Sequence, residues 1–146
     1  MKRKLLFILS LLTMALTTQA QSAAYAGGDG TRENPFLISN AEELAKLAQD
    51  VNTTANFSRG LYFKLTNDIV INQQVNQKEL ATLQTGTAFP LTPMIGSYAS
   101  DTEYKAFQGV FDGDGHTISG VYLQGSINYM ALFRVLEDAE ICNLGI

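Results

Sequence analysis

Short apolar runs broken by turn residues recur along this chain. HTISGVYL at His116 to Leu123 returns in looser form as AEICNLGI at Ala139 to Ile146. In that alignment Ile118, Gly120, Val121 and Leu123 fall on Ile141, Asn143, Leu144 and Ile146, each pair 23 residues apart. LTNDIVI at Leu65 to Ile71 has the same order of apolar and turn positions with one more residue in the turn. A period of this size predicts stacked coils of a solenoid, in which equivalent apolar positions superpose.

Other stretches follow different periods. Pro35 introduces a short apolar strand, Phe36 to Ile38. Leu44, Leu47, Ala48 and Val51 then recur at helical spacing, and Ser39 with Glu42 or Asn40 with Glu43 supplies a capping box. The stripe predicts a helix over 40–51, apolar side inward, with Lys46, Gln49 and Asp50 toward solvent. Leu61, Phe63 and Leu65 alternate with Tyr62 and Lys64, which is strand periodicity. Residues 72–104, rich in Gln, Asn and Thr and interrupted by Pro90 and Pro93, read as an insertion or lateral loop with a short helix around Gln77 to Leu83.

The N-terminus has a separate character. Lys2, Arg3 and Lys4 precede an uncharged apolar run, Leu5 to Leu16, too short for the ~20 residues of a membrane-spanning helix. Residues 1–20 therefore read as a secretory signal, cleaved after Ala20 with Ala24 and Ala26 as alternative small-residue sites, residues 21–35 as a flexible leader, and 36–146 as the folded portion. Loss of the three basic residues would take the net charge from −4 to about −7, which argues against nucleic acid as a partner. Cys142 is the single cysteine and makes no internal disulfide; it reads as a small core or near-core residue.

FQGVFDGDGHTISG holds the most specific local pattern. Gly109, Gly113, Gly115 and Gly120 punctuate short apolar pieces, as sharp turns require, and Asp112 and Asp114 can hydrogen-bond the turn backbone. The alternative for Asp112 and Asp114 is a calcium site, because DGDG echoes a calcium loop; that loop's later ligands and bidentate Glu are missing. His116, the only histidine, has no orienting partner visible in sequence, and GxSxG, HExxH, CxxC and phosphate-loop motifs are absent. No cofactor is implied. Asn52-Thr53-Thr54 and Asn56-Phe57-Ser58 match the glycosylation sequon and read as loop polarity.

GGDGTRENPFLISNAEELAKLA, LYFKLTNDIVI, PMIG, FQGVFDGDGHTISGVYL and ALFRVLEDAEICNLGI, in that order, resemble the start of the GLUG-motif proteins, secreted bacterial surface proteins of adhesin and peptidase-associated type. The resemblance covers Gly27 to Ile146 apart from residues 72–90. It implies a mainly all-β fold, a right-handed parallel β-helix whose N-terminal end is closed by the helix. FPLTPMIG departs from the family pattern in lacking a Trp before the turn. A coil ending at Ile146 leaves an open edge, so the chain reads as truncated, with further β-helix coils or a partner domain expected after it.

Together these readings predict a non-catalytic extracellular or cell-surface β-solenoid module for adhesion or scaffolding. It would lack a membrane span and take an extracellular protein or glycan as ligand, through a sheet face or the 72–104 loop. The alternative is a polysaccharide-acting β-helix enzyme, which needs acidic residues with Lys64, Arg59 or Lys105 on one outward sheet face.

Overall fold

In the computed structural model, residues 24–73, 91–124 and 129–146 are described. The signal segment and the short helix expected at Gln77 to Leu83 lie outside them.

Helix α1 runs Ala41–Thr53. Asn40 is its N-cap, with its side-chain oxygen accepting from the Glu43 N–H at 3.0 Å. Glu43 reaches back, and its Oε2 accepts from the backbone N–H and the hydroxyl of Ser39. One orphan donor of the first turn, the Glu43 N–H, is thereby satisfied, and the Ser39 N–H just ahead of the helix also gains an acceptor. Leu44, Leu47, Ala48 and Val51 are buried on one face. Asp50 is not left to solvent: it accepts from the Tyr25 hydroxyl at 2.8 Å and pairs with Lys46. At the other end, the Asn52 side chain donates to the Met94 carbonyl.

The strands are β1 (Phe36–Ile38), β2 (Tyr62–Leu65), β3 (Ile69–Val70), β4 (Ser97–Ser100), β5 (Glu103–Lys105), β6 (Val110–Asp112), β7 (Ile118–Ser119) and β8 (Glu140–Cys142). β1, β2, β6 and β8 form a parallel four-stranded sheet in that spatial order, with Phe36 beside Phe63, Phe63 beside Phe111, and Phe111 beside Ile141. β3 and β7 make a separate parallel pair, and β4 and β5 an antiparallel hairpin.

This arrangement corrects the expectation of an all-β, right-handed parallel β-helix. The strands are two to four residues long and divide among three separate sheets, one of them antiparallel, beside a 13-residue helix. No closed solenoid forms among the described residues, and the fold is a small mixed α/β domain. The physical reason lies in the apolar pieces, which give way to Asp, Asn or Gly before a ladder can lengthen, and in residues 97–105, which pair with themselves.

The 23-residue alignment also misplaces its partners. Ile118 lies beside Ile69, whereas Ile141 lies beside Phe111 in a different sheet, and Thr117 bridges to Gly145. An apolar-turn-apolar pattern matches itself at several offsets; backbone pairing picks one of them.

Residues 24–35, expected as a flexible leader, are tied down. Gly27 bridges to Leu37, Asp29 accepts from the N–H and hydroxyl of Thr31, and Tyr25 stacks on Phe36 with centroids 4.7 Å apart. That stack continues inward through Phe63, Phe107, Phe133 and Phe111, each ring within 6 Å of the next. Phe63, Phe107, Phe111, Leu47, Leu65, Ile69, Ile95 and Ile118 are fully buried and weld the helix to all the parallel strands. Ile95 belongs to the stretch read as a lateral loop, yet it is part of the core.

Candidate functional site

Side chains alternate across a strand, so the residues that fill the core decide which ones face out. With Phe63 and Leu65 inward, Tyr62 and Lys64 face outward on β2; with Phe111 inward, Val110 and Asp112 do so on β6. Register then aligns Leu37, Lys64, Asp112 and Cys142 in one row across the sheet, with Tyr62, Val110 and Glu140 in the next. These rows floor a groove of about 830 Å³ whose rim includes Arg32, Glu33, Asp114 and His116.

Four of the charged groups in the groove already have partners. Lys64 Nζ lies 2.9 Å from Asp114 Oδ2, and the hydrogen bond and charge of Asp114 raise the lysine's pKa. Asp112 Oδ1 accepts from the Asn143 amide and from the Asp114 backbone N–H, both at 2.9 Å. Those two bonds, the Asn143 one foremost, hold its carboxyl below the usual range, with the nearby Lys64 charge adding to the effect. Asp68 Oδ1 accepts from the Thr117 N–H at 2.9 Å and faces His116 Nδ1 at 3.3 Å, and its carboxyl is also lowered, chiefly by the Thr117 bond. Burial, with the charges of Asp112 and Glu140, pushes the Cys142 thiol up. A thiol so held is a poor nucleophile.

Asp112, Asp114 and His116 alternate in sequence but do not converge. Asp112 braces the turn, Asp114 pairs with Lys64, and His116 turns to Asp68. Among the described residues no group of three or more His, Cys, Asp or Glu side chains is arranged to hold a metal ion.

The four glycines have different geometry. A Cβ on Gly113 would meet the Asn143 carbonyl oxygen at 2.5 Å, and one on Gly109 the Leu61 oxygen at 2.6 Å. Gly115 has open space around it but a φ of +83°, and Gly120 combines positive φ with close approach to Asn72.

Asp68 and Asn143 escaped the sequence reading. Each acts on a partner far along the chain, and only the sheet register brings them there. A local hint existed: both are Asx residues flanking short apolar pieces, the type that hydrogen-bonds turn backbone. Lys64 was legible as an outward basic residue; its partner Asp114 was not.

No known family profile matches the chain, and no solved structure matches it. Over 130 residues, 88% of its length, it is 32% identical to a protein of Evansella cellulosilytica named as a Gly-rich membrane protein. Over 123 residues, 84% of its length, it is 31% identical to halomucin of Haloquadratum walsbyi. The chain spans 13% of the first relative and 1% of the second. Among the described residues no helix is long and apolar enough to cross a membrane.

Proposed function

We propose that this chain is a non-catalytic module of an extracellular or cell-surface protein, adhesive or scaffolding in role, and that it is of the GLUG-motif type. The observation that carries the reading is its similarity, over most of its length, to small parts of far larger proteins, one named as a Gly-rich membrane protein and the other named halomucin. The groove is in keeping with it: carboxylates braced by backbone and amide donors, and a lysine already paired, form a ligand-binding surface more readily than a reaction centre.

Immunolabelling of intact cells of the native host tests the location. Labelling without permeabilisation supports the proposal, and labelling only after lysis overturns it.

One observation favours a second reading, a polysaccharide-acting enzyme. Lys64 sits beside Asp112 in register and ion-pairs with Asp114, which gives carboxylates and a cation on one outward sheet face. Release of reducing ends from a polysaccharide, lost in Asp112→Asn, would establish that reading in place of the first.

A further inference from the structure

The antiparallel hairpin carries aromatic rings where a soluble surface has little use for them. Tyr98 and Tyr104 are cross-strand partners, so they share one face. Tyr129 meets Tyr98 edge-on with centroids 5.6 Å apart. Tyr129 is 68% exposed and Tyr104 43%, with Leu136, 48% exposed, beside them. Tyr98 is also positioned in advance: its hydroxyl donates to Asp101, and Arg134 donates to its carbonyl. Shallow clefts of about 200 and 250 Å³ lie along the Tyr98 and Tyr104 pair, on the scale of single sugar rings.

We infer that this face of the hairpin, with Tyr129 beside it, is a binding platform for a neutral glycan. Three ligand classes use exposed aromatic rings, and the surroundings choose among them. Nucleic-acid bases stack on such rings, but the phosphates need a basic track. Here Asp101, Glu103 and Glu137 outnumber Lys105 and Arg134 around the rings, and the whole chain is negative. A stable protein partner needs roughly 800 Å² per side around a desolvated apolar centre, whereas here the exposed tyrosines and Leu136 are interspersed with charged side chains. A sugar ring needs an apolar face for its C–H groups and polar groups at its edges for its hydroxyls. Tyrosine faces rimmed by carboxylates and cations offer both, and a ring already held, as Tyr98 is, loses little freedom on binding.

The inference stands on this hairpin alone and does not depend on the sheet-face groove. Its test is affinity electrophoresis of the full chain through gels containing dextran, galactomannan or laminarin, with heparin and polygalacturonate as anionic counterparts. At least one neutral polysaccharide should retard the chain, and the anionic ones should not. Tyr129→Ala with Tyr104→Ala should weaken the retardation about tenfold or more, while Tyr104→Phe, which keeps the ring face, should stay within about twofold. Tyr129→Ala alone guards against misfolding, since so exposed a ring leaves the core untouched. Three results each overturn the inference: free passage through every neutral gel, retardation that survives the double substitution, or self-association in place of retardation that the same substitutions abolish.

Discussion

Gly113 and Leu144 meet backbone to backbone: a Cβ built on Gly113 would lie 2.6 Å from the Leu144 Cα. The Gly113 N–H donates to the Cys142 carbonyl at 2.8 Å, and the Gly115 N–H to that of Asn143 at 2.9 Å. The DGDG turn is thus seated against the chain that follows β8, and its two glycines are needed for different reasons.

Substitution should separate those reasons. Gly113→Ala should cost about 1–3 kcal/mol or more through overpacking, and Gly115→Ala about 1–2 kcal/mol through its left-handed backbone. Asn tolerates that backbone region, so Gly115→Asn should recover part of the loss while Gly113→Asn should not. Urea unfolding of the four variants checks this, and equal behaviour of the two Asn variants would reject it.

Leu44 and Leu47 are buried on the inner face of α1, and truncation to Ala should cost about 2–5 kcal/mol each. Gln49→Ala, on the exposed side of the same helix, should stay within about 0.5 kcal/mol. Asn40→Ala should cost about 1 kcal/mol, because the Glu43 N–H loses its acceptor.

Acid should expose the role of Asp112. Its native pKa is lowered, so its contribution is complete above the unfolded value of about 3.9 and fades as pH falls through the lower native value. Asp112→Asn should therefore flatten the loss of stability below about pH 4. The sign is opposite for Lys64, whose pKa is raised: its contribution is present below about pH 10.4 and disappears as pH climbs through the native value. Being an exposed pair with Asp114, it should also weaken as salt is added. Melting curves from pH 2 to 11 at low and high salt would show both limbs.

Calcium should leave the melting temperature unchanged. Asp112 is already engaged by Asn143 and the turn backbone, and Asp114 by Lys64. A shift with calcium that chelator removes, and that the double substitution Asp112→Asn with Asp114→Asn abolishes, would show a bound ion instead.

The helix was legible because one 13-residue segment contains its own evidence: apolar residues at helical spacing and an Asn40 to Glu43 cap. β1 and β2 were legible for a similar reason, since alternation is local. The pairing was not. Ile118 and Ile141 look equivalent along the chain, yet Ile118 belongs with Ile69 and Ile141 with Phe111. Residues this short and similar specify a strand without specifying its neighbour, and close approach of Gly113 to the Leu144 backbone settles what hydropathy leaves open. The hairpin at Ser97–Lys105 was missed because polar and small residues make up all of it except Tyr98 and Tyr104, so no run of alternating apolar positions marks its strands. The candidate surfaces shared that obscurity: the outward row Leu37, Lys64, Asp112 and Cys142 draws one residue from each of four strands.

Parallel pairing of β2 with β6 has a practical corollary for protein engineering. Such neighbours cannot be joined by a tight turn, so residues 66–109, which connect them, make a long excursion. Doubling the length of an excursion costs only about 0.6 kcal/mol in closure entropy. Length added to that excursion is therefore inexpensive in entropy, whereas the close fit of Gly120 against the buried Asn72 marks one place where an inserted peptide tag would be felt by the fold.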